Sequence, residues 1–233
     1  MERLTAVAGA LPRRVTNGTT LVRQGEPTMA VYVVIRGAVR LSAVLLSGRE
    51  VVLGILGGGD IFGEAALLDD PTSPVDARAI ATTDVLPVPL PALEAVFARR
   101  PATATQVVRM LASRLHRTSA ALEDALARDV RGRVSRTIGD LASRHGAAAA
   151  DGVRIGLRVT QDEIGKMAGT SRESVNRTIA SLSGRGLVRT DRDGLVIRNV
   201  GALSAAYEDS GVDSADGDAV SSAHGTVRTL HLR

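Results

Sequence analysis

Short runs of apolar residues, alternating with polar ones and separated by glycine, fill the first hundred residues. A run such as MAVYVVIRGAVRLSAVLL is rich in β-branched residues and often alternates from one position to the next, which is typical of strands buried on one face. Gly37 and Gly48 interrupt these runs, and glycine readily adopts the positive φ that tight turns between strands require. Several short strands at nearly regular spacing predict a small antiparallel barrel or roll.

From about residue 101 the apolar positions follow a helical period instead. All eight prolines lie at or before Pro101, and the stretch ATATQVVRMLASRLHRTSAALEDALARDV contains neither glycine nor proline. Its stripe consists of Val108, Leu111, Leu115, Thr118, Leu122 and Ala125. This spacing is that of a heptad seam, so we predict a long helix over about 101–128 that pairs with a second copy in a parallel dimer. A helix that only covers its own barrel is the alternative.

The segment after the long helix predicts a change of element. Gly132, within DVRGRV, is expected to end the helix, and a further helix is expected through SRTIGDLASRHG. The Ala/Gly-rich stretch AAAADG then predicts a connector, and the alternation over 153–159 predicts a short strand. We therefore place a domain boundary near residue 130.

The next part of the chain predicts two short helices and a hairpin. Thr160 and Glu163 form a capping-box pattern at the start of the first helix, and Ser171 caps the second after a short turn. The second helix has a buried stripe of Val175, Ile179 and Leu182. Two apolar strands flank Asp193 and Gly194, which is a strong hairpin signal. The arrangement is that of a helix-turn-helix followed by a wing.

The side of the second helix opposite its buried stripe is polar and charged. It carries Arg172, Glu173, Asn176 and Arg177. An arginine offers a forked pair of donors that matches guanine O6 and N7, and a glutamate accepts from the amino group of cytosine. Hydroxyl groups near the helix starts, on Thr160, Thr170 and Ser171, are suited to phosphates. The face therefore predicts a contact with the major groove of double-stranded DNA, and a solvated face with one intrahelical ion pair is the alternative.

Positive charge is concentrated in the segment that contains this face. The net charge is +4, but residues 131–200 carry 13 basic and 7 acidic side chains, whereas residues 1–130 carry 14 and 13. Residues 201–233 carry 2 basic and 5 acidic side chains and are rich in Ser, Gly and Asp, so we expect a disordered tail. A basic segment beside a nearly neutral one indicates that one domain meets a polyanion while the other has a different task.

Composition excludes several classes of site. The chain has no cysteine, which rules out disulfides, thiolate zinc sites and cysteine-ligated iron–sulfur clusters. Its four histidines show no metal-ligand spacing, so we expect no metal site. No apolar stretch is long enough to cross a membrane, and the N-terminus lacks the features of a secretory signal. We therefore expect a cytoplasmic protein with no membrane partner.

Several motifs together resemble those of the cyclic-AMP receptor protein and FNR superfamily of bacterial transcription regulators. They are RQGE, IRGAVRL, GGGDIFGEAALL, RTS on the long helix, DVRGRV, and TQDEIGKMAGTSRESVNR. The resemblance implies an α+β fold, with an N-terminal cyclic-nucleotide-binding-type β jelly roll and dimerisation helix in residues 1–130 and a C-terminal winged helix-turn-helix in residues 131–200. It also implies that Arg172, Glu173 and Arg177 read the bases of a TGTGA-like half-site.

The resemblance further implies a ligand pocket around GGGDIFGE. This stretch lacks both the Gly-Lys-Ser/Thr of a phosphate loop and the G-x-G-x-x-G spacing of a dinucleotide site. In the family it opens the cyclic-nucleotide cassette, which would place a ligand beside Gly63, Glu64 and Ala65 and pair the Glu64 carboxylate with the ribose 2′-hydroxyl. Thr118 and Ser119 match the pair on the dimer helix that contacts adenine, and a Thr118 that only fills the heptad seam is the alternative.

The phosphate end of this pocket departs from the family pattern. The family has an Arg–Ser/Thr pair that holds the cyclic phosphate, whereas this chain has TSPVDAR. Ser73 and Pro74 occupy the best-aligned positions, and Arg78 belongs to the next predicted strand. No cofactor is therefore certain, and cyclic AMP or a related nucleotide is expected to bind weakly.

Sequence-specific regulation of transcription by a homodimer is the function that these patterns predict, with RNA polymerase as a further partner if the protein is an activator. A cyclic-nucleotide-binding interaction module that acts through protein partners is the alternative. An enzyme is not expected, because the carboxylates of Glu64, Asp69 and Asp70 have no histidine or nucleophile beside them in sequence.

Overall fold

Eight strands of the N-terminal half form two four-stranded antiparallel sheets in the computed structural model, which describes residues 11–157, 159–191 and 194–203. The strands are β1 (Arg13–Val15), β2 (Thr20–Val22), β3 (Ala30–Arg36), β4 (Val39–Val44), β5 (Glu50–Leu56), β6 (Ile61–Phe62), β7 (Asp76–Ala79) and β8 (Thr83–Pro89). Their order is β1-β8-β3-β6 in one sheet and β2-β7-β4-β5 in the other. Many neighbours in a sheet come from distant parts of the chain, and the predicted β roll is confirmed.

Apolar side chains from both sheets form one core. Val34 and Phe62 are fully buried there, and the rings of Phe62 and Tyr32 stack with their centroids 4.8 Å apart. Gly37 makes the turn between β3 and β4 with a φ of 94°, and a Cβ at this position would lie 2.6 Å from the carbonyl oxygen of Thr82. Only glycine fits this turn. The geometry of the turn determines which residues of β4 face the core.

Two helices follow the β roll. They are α1 (Leu90–Arg99) and α2 (Pro101–Ala127), of which α2 is the predicted long helix. The apolar side chains on its roll-facing side are Val107, Met110 and Leu111. On its solvent side are Val108, which is 63% exposed, Leu115, which is 69% exposed, and Leu122, which is 61% exposed. Of the predicted heptad stripe, Leu111 therefore packs on the β roll, whereas Val108, Leu115 and Leu122 are open to solvent in a single chain.

The break after α2 lies at Arg128 and not at Gly132. Asp129 caps the next helix, α3 (Val130–His145), because its side chain accepts a hydrogen bond from the Gly132 amide at 2.7 Å. Gly132 is buried in the first turn of α3, so the prediction that it ends the long helix was wrong. The aspartate decides the boundary, since its carboxylate supplies a partner to a helix-start amide that would otherwise have none.

The described residues beyond α3 include two helices, a four-stranded antiparallel sheet and a helical turn at 200–203. The elements are β9 (Gly146–Ala149), β10 (Gly152–Ile155), α4 (Gln161–Ala168), α5 (Arg172–Gly184), β11 (Val188–Asp191) and β12 (Gly194–Ile197), and the sheet order is β11-β12-β10-β9. The predicted wing strands are β11 and β12. The hairpin tip at 192–193 and most of the predicted tail, 204–233, lie outside the described residues. No helix in the described part of the chain is both long and apolar enough to span a membrane.

The alanine-rich stretch predicted as a connector begins with strand β9 instead. All of β9 pairs with β10, residue by residue. The strand predicted over 153–159 is also shorter than expected and ends at Ile155. Alanine has little preference of its own for strands, so the pairing with β10 rather than local sequence makes this segment extended.

The two halves of the chain pack against each other through the edge strand β5. Ile55 is fully buried in the apolar core of the C-terminal half. At the start of the same strand, the Glu50 carboxylate accepts a hydrogen bond from Lys166 of α4 at 2.9 Å. Arg144 of α3 donates to the carbonyl oxygen of Ile55 at 3.2 Å and to the carboxylate of Asp60 at 3.0 Å. An apolar contact and two ion pairs thus hold the C-terminal half of the chain, called the winged half below, to the β roll.

Acidification is expected to weaken this packing through His145. Its half-buried ring places Nε2 3.1 Å from the carbonyl oxygen of Ile55. Burial, and then the neighbouring Arg144 guanidinium, lower the pKa of His145, against smaller opposite effects of the bond to the Ile55 carbonyl oxygen, of Asp60 and of Asp140. A lowered pKa favours the neutral ring in the folded protein. When the pH is lowered below about 6.5, the unfolded chain takes up the proton first, so the free energy of unfolding decreases.

Denaturant unfolding between about pH 7.5 and 5.5 measures this effect. His145→Gln removes the titrating group and should reduce the loss of unfolding free energy on acidification. His116→Gln, at an exposed position on α2, is the matched control and should keep the loss. An undiminished loss in His145→Gln would assign the acid sensitivity to another group.

Candidate nucleic-acid interface and ligand pocket

The first helix of the helix-turn-helix starts at a reciprocal cap. The Thr160 hydroxyl accepts from the Glu163 amide at 3.2 Å, and the Glu163 carboxylate accepts from the Thr160 amide at 2.7 Å. At the other end, Gly169 has a left-handed φ of 63°, and a Cβ on Gly165 would lie 2.9 Å from the carbonyl oxygen of Thr170. The predicted capping box is confirmed, and these contacts fix the turn that leads into α5.

Helix α5 buries the stripe that its sequence predicts. Ser171 caps the helix by accepting from the Ser174 amide at 3.3 Å. The buried residues are Val175, Thr178, Ile179 and Leu182. Their apolar members share a core with α3 and α4, so the opposite side of α5 is left to solvent.

The four polar residues singled out on α5 are all exposed: Arg172, Glu173, Asn176 and Arg177. The Arg177 guanidinium donates to the Ser174 hydroxyl at 3.0 Å. The backbone amide of Glu173 holds the pKa of its own side-chain carboxyl below its usual value, so this carboxylate is anionic at neutral pH. The described side chains form no ion pair on this face. The intrahelical ion pair that belonged to the alternative, a solvated face, is therefore not formed among them, and the base-reading role stays a prediction.

The hydroxyl groups predicted to contact phosphates have partners inside the protein. The Thr160 hydroxyl donates to the Glu163 carboxylate at 2.9 Å, and the Ser171 hydroxyl donates to that of Ser174 at 3.3 Å. Thr170 is half-buried in the turn. Thr160 and Ser171 therefore act as helix caps, and their contact with phosphates stays a prediction.

A small pocket with a cavity volume of about 80 Å³ lies beside the turn that follows β6. The apolar part of its wall consists of Val22, Leu41, Phe62, Leu68, Val75 and Ala77. Four of the predicted ligand residues also line it, namely Gly63, Glu64, Ala65 and Ser73. Gly63 has a φ of 78°, and a Cβ there would lie 2.7 Å from the carbonyl oxygen of Ala30, so the turn at the pocket requires glycine.

The carboxylate in this pocket is held by the long helix. Arg114 of α2 donates to Glu64 Oε1 at 2.9 Å and also to the carbonyl oxygen of Ile61. Thr118, one turn further along α2, donates its hydroxyl to the carbonyl oxygen of Arg114 at 3.1 Å. Thr118 and Ser119 are exposed and lie outside the pocket wall. Sequence reasoning missed Arg114. The signal for it, which was not used, is its position four residues before Thr118, on the same side of the helix.

The end of the pocket that was predicted to hold the phosphate, at Ser73 and Pro74, has no basic side chain among the described lining residues. Ser73 is buried, and its hydroxyl donates to the carbonyl oxygen of Val75 at 2.8 Å. Pro74, next to it, has no amide hydrogen to offer. The Arg78 guanidinium is exposed and donates to the carbonyl oxygen of Gly18 at 2.8 Å, so it is engaged outside the pocket.

Comparison with known proteins gives matches along most of the chain. Residues 12–100 match the cyclic nucleotide-binding domain, and residues 132–206 match the Crp-like helix-turn-helix domain. A relative from Mycobacterium tuberculosis, named as a CRP-like cAMP-activated global transcriptional regulator, is 34% identical over 180 residues, which cover 77% of this chain and 80% of that one.

Two solved structures are similar over a comparable length. The c-di-GMP-responsive global regulator CLP of Xanthomonas campestris is 27% identical with a TM-score of 0.67, covering 85% of this chain and 97% of that one. A variant of CooA from Carboxydothermus hydrogenoformans has a TM-score of 0.73 at 20% identity, covering 87% of this chain and 89% of that one. These likenesses confirm the predicted α+β fold, and the relatives' roles confirm the prediction of a regulator rather than an enzyme.

Proposed function

Because the chain belongs to the cyclic-AMP receptor protein and FNR superfamily of bacterial transcription regulators, we propose that it is a homodimer that binds palindromic DNA with TGTGA-like half-sites. The observation that carries the proposal is the exposed face of α5, which lies on a capped helix-turn-helix beside a wing. Double-stranded DNA is the proposed partner, together with RNA polymerase if the protein activates transcription.

Base recognition is assigned to the start of α5. Arg172 and Arg177 each offer forked donors that match guanine, and the anionic Glu173 between them accepts from the amino group of cytosine. The excess of positive charge in residues 131–200, with 13 basic and 7 acidic side chains, supports the approach of a polyanion. Asn176, Thr170 and the two capping hydroxyls are then placed near the groove and the phosphates, where contacts set the register.

Dimerisation is assigned to the exposed stripe of α2. Val108, Leu115 and Leu122 recur every seven residues and are each more than half exposed in the single chain. Leu126, which is 83% exposed, extends the apolar surface by one more turn. A second copy of the same helix is the partner that such a repeat fits, because a heptad stripe meets an identical stripe in a parallel pair. The two α5 helices would then face half-sites about one helical turn apart.

The ligand pocket is proposed to be degenerate. It retains the glycine turn, the Glu64 carboxylate and an apolar wall, but the described lining includes no cation that would hold a cyclic phosphate. A nucleotide effector remains compatible with the cyclic nucleotide-binding domain at residues 12–100. Relatives in the family are named for different effectors, the one from Mycobacterium tuberculosis being cAMP-activated and the one from Xanthomonas campestris c-di-GMP-responsive, so family membership does not assign the ligand.

Selection of bound sequences from a random duplex pool, with and without cyclic AMP, tests the proposed function. The expected outcome is a palindrome with two TGTGA-like half-sites. An enriched pool without any common motif, or no binding of duplex DNA at physiological salt, would favour the alternative of an interaction module that acts through protein partners.

Arg172→Ala is expected to weaken binding to the selected palindrome by roughly 1–3 kcal/mol per half-site and to relax the preference at one guanine. Direct titration of duplexes that carry each base at that position measures both effects. Arg13→Ala, which removes an exposed arginine from β1 instead, is the matched control and should leave the preference unchanged. An equal loss of affinity for specific and random DNA in Arg172→Ala would contradict the base-reading role.

A further inference from the structure

A carboxylate is the one side chain that α2 buries. Asp124, close to the C-terminal end of the helix, is 8% exposed, while every other residue of α2 is half-buried or exposed. Burial of an ionised carboxylate is costly unless opposite charges and hydrogen bonds compensate it. The local structure must therefore supply those partners.

The two oxygens of Asp124 are bound from the two sides of the break between α2 and α3. Oδ1 accepts from Arg128 Nε at 2.7 Å, and Arg128 lies in the two-residue link between the helices. Oδ2 lies 2.9 Å from Nε of Arg136, which belongs to the second turn of α3. A single carboxylate thus joins the long helix to the winged half through charge-assisted bonds, which are directional and short.

The same set of bonds continues to the helix-turn-helix. Arg133 of α3 donates to the carbonyl oxygen of Arg128 at 2.9 Å. It also donates to the carbonyl oxygen of Ala168, the last residue of α4, at 3.0 Å. A continuous chain of polar contacts therefore runs from the end of α2, across the break, to the turn that precedes α5.

We propose that Asp124 is a positioning residue that sets the spacing of DNA half-sites, by fixing the direction in which each winged domain leaves the long helix. The inference rests on the proposed homodimer, in which the two α2 helices are the common frame. Two-fold symmetry gives both subunits the same angle between α2 and the winged domain. A substitution of Asp124 is present in both subunits, so it shifts both α5 helices at once. We call the ion pairs of Asp124 with Arg128 and Arg136 the Asp124 clamp. The distance and the rotation between the two α5 helices of the dimer therefore depend on this clamp.

If the ion pairs of Asp124 are weakened, we expect the protein to accept half-sites at several spacings and still to recognise the bases of each half-site. One base pair added between half-sites moves them apart by about 3.4 Å and rotates them by roughly a tenth of a turn. A rigid pair of domains matches only one such arrangement. Domains that pivot at the Arg128 link match several, while each α5 still reads its own half-site.

The test uses duplexes with two identical half-sites whose spacer is varied one base pair at a time, and a duplex with a single half-site. For the natural protein, a change of one base pair from the best spacer is expected to weaken binding by about tenfold or more, equivalent to ~1.4 kcal/mol. For Asp124→Asn the same change is expected to weaken binding by less than about threefold. Affinity for the single half-site and the dimer mass are expected to be equal in the two proteins.

Matched variants separate the clamp from a general loss of stability. Glu123→Gln removes one negative charge from the neighbouring exposed position and should keep the sharp preference for one spacer. Arg136→Ala removes the cross-break partner but leaves Asp124 paired with Arg128, and should broaden the preference as Asp124→Asn does. Arg136→Lys keeps a cation there and should restore part of the preference.

Each outcome has a distinct meaning. A sharp spacer preference that persists in both Asp124→Asn and Arg136→Ala would overturn the positioning role. Equal weakening on the single half-site and on every spacer would also overturn it, because that pattern indicates a purely structural residue. Failure of the natural protein to prefer any palindrome would instead refute the proposed function on which the inference rests.

Discussion

Leu115→Asp is expected to convert the dimer into monomers and to remove tight binding to the palindromic duplex. Leu115 lies at the middle of the exposed stripe of α2 and is 69% exposed in a single chain. In a parallel pair each copy would bury this position against the other, so the substitution places two unpaired carboxylates in an apolar seam. The cost of such a change is several kcal/mol, which exceeds the contribution of any one leucine to the seam.

Sedimentation of the purified variant measures the change in mass, and titration of palindromic and single half-site duplexes measures its consequence for DNA. Leu46→Asp is the matched control, because Leu46 is a fully exposed leucine on the turn between β4 and β5. The control should remain dimeric. A Leu115→Asp protein that keeps the dimer mass would move the interface to another surface.

The parts of the fold that sequence predicted are those fixed by local contacts. The capping box of Thr160 and Glu163 and the buried stripe of α5 depend on residues within one or two turns of each other. The break after α2 was misplaced because Gly132 and Asp129 gave competing signals three residues apart, and the side-chain cap decided between them. A helix-breaking propensity of about 1 kcal/mol is readily outweighed by a cap and tertiary packing.

The contacts that sequence could not give are those between distant residues. Strand β9 is alanine-rich and becomes extended only because β10 pairs with it. The Glu64 carboxylate meets Arg114, fifty residues later, because α2 packs back on the β roll. The Asp124 clamp likewise depends on the angle between two helices, and periodicity places this residue on a helix but does not say that its carboxylate is buried.

Cyclic AMP is expected to bind this protein weakly. Its affinity should be lower by roughly two to three and a half decades than its affinity for a pocket of the same fold in which an arginine binds the phosphate. A cyclic phosphodiester keeps its negative charge when bound, and a buried charge without its partner costs on the order of 3–5 kcal/mol. The lining of the pocket instead contains the Glu64 carboxylate, whose charge is opposed by Arg114. A second anion therefore enters a site where the Arg114 guanidinium is already engaged with Glu64.

Other groups at this end of the pocket offset only part of that cost. Backbone amides in suitable turns hold anions through their dipoles, but they carry no net charge. The Ser73 hydroxyl is engaged with the carbonyl oxygen of Val75, and the Arg78 guanidinium with that of Gly18. A contribution from either side chain would require those bonds to break.

Restoring the missing cation gives the sharpest test. Pro74 is exposed and lines the pocket, so Pro74→Arg introduces a guanidinium at the phosphate end without opening the core. Calorimetric titration with cyclic AMP is expected to show tighter binding to Pro74→Arg by at least about tenfold, or ~1.4 kcal/mol, with a gain that shrinks as salt rises. Pro74→Gln adds a polar chain without the charge and should show no such gain. Low-micromolar binding of cyclic AMP to the natural protein, with a large accompanying rise in DNA affinity, would contradict the expectation and would mean that Arg78 or a set of main-chain amides holds the phosphate.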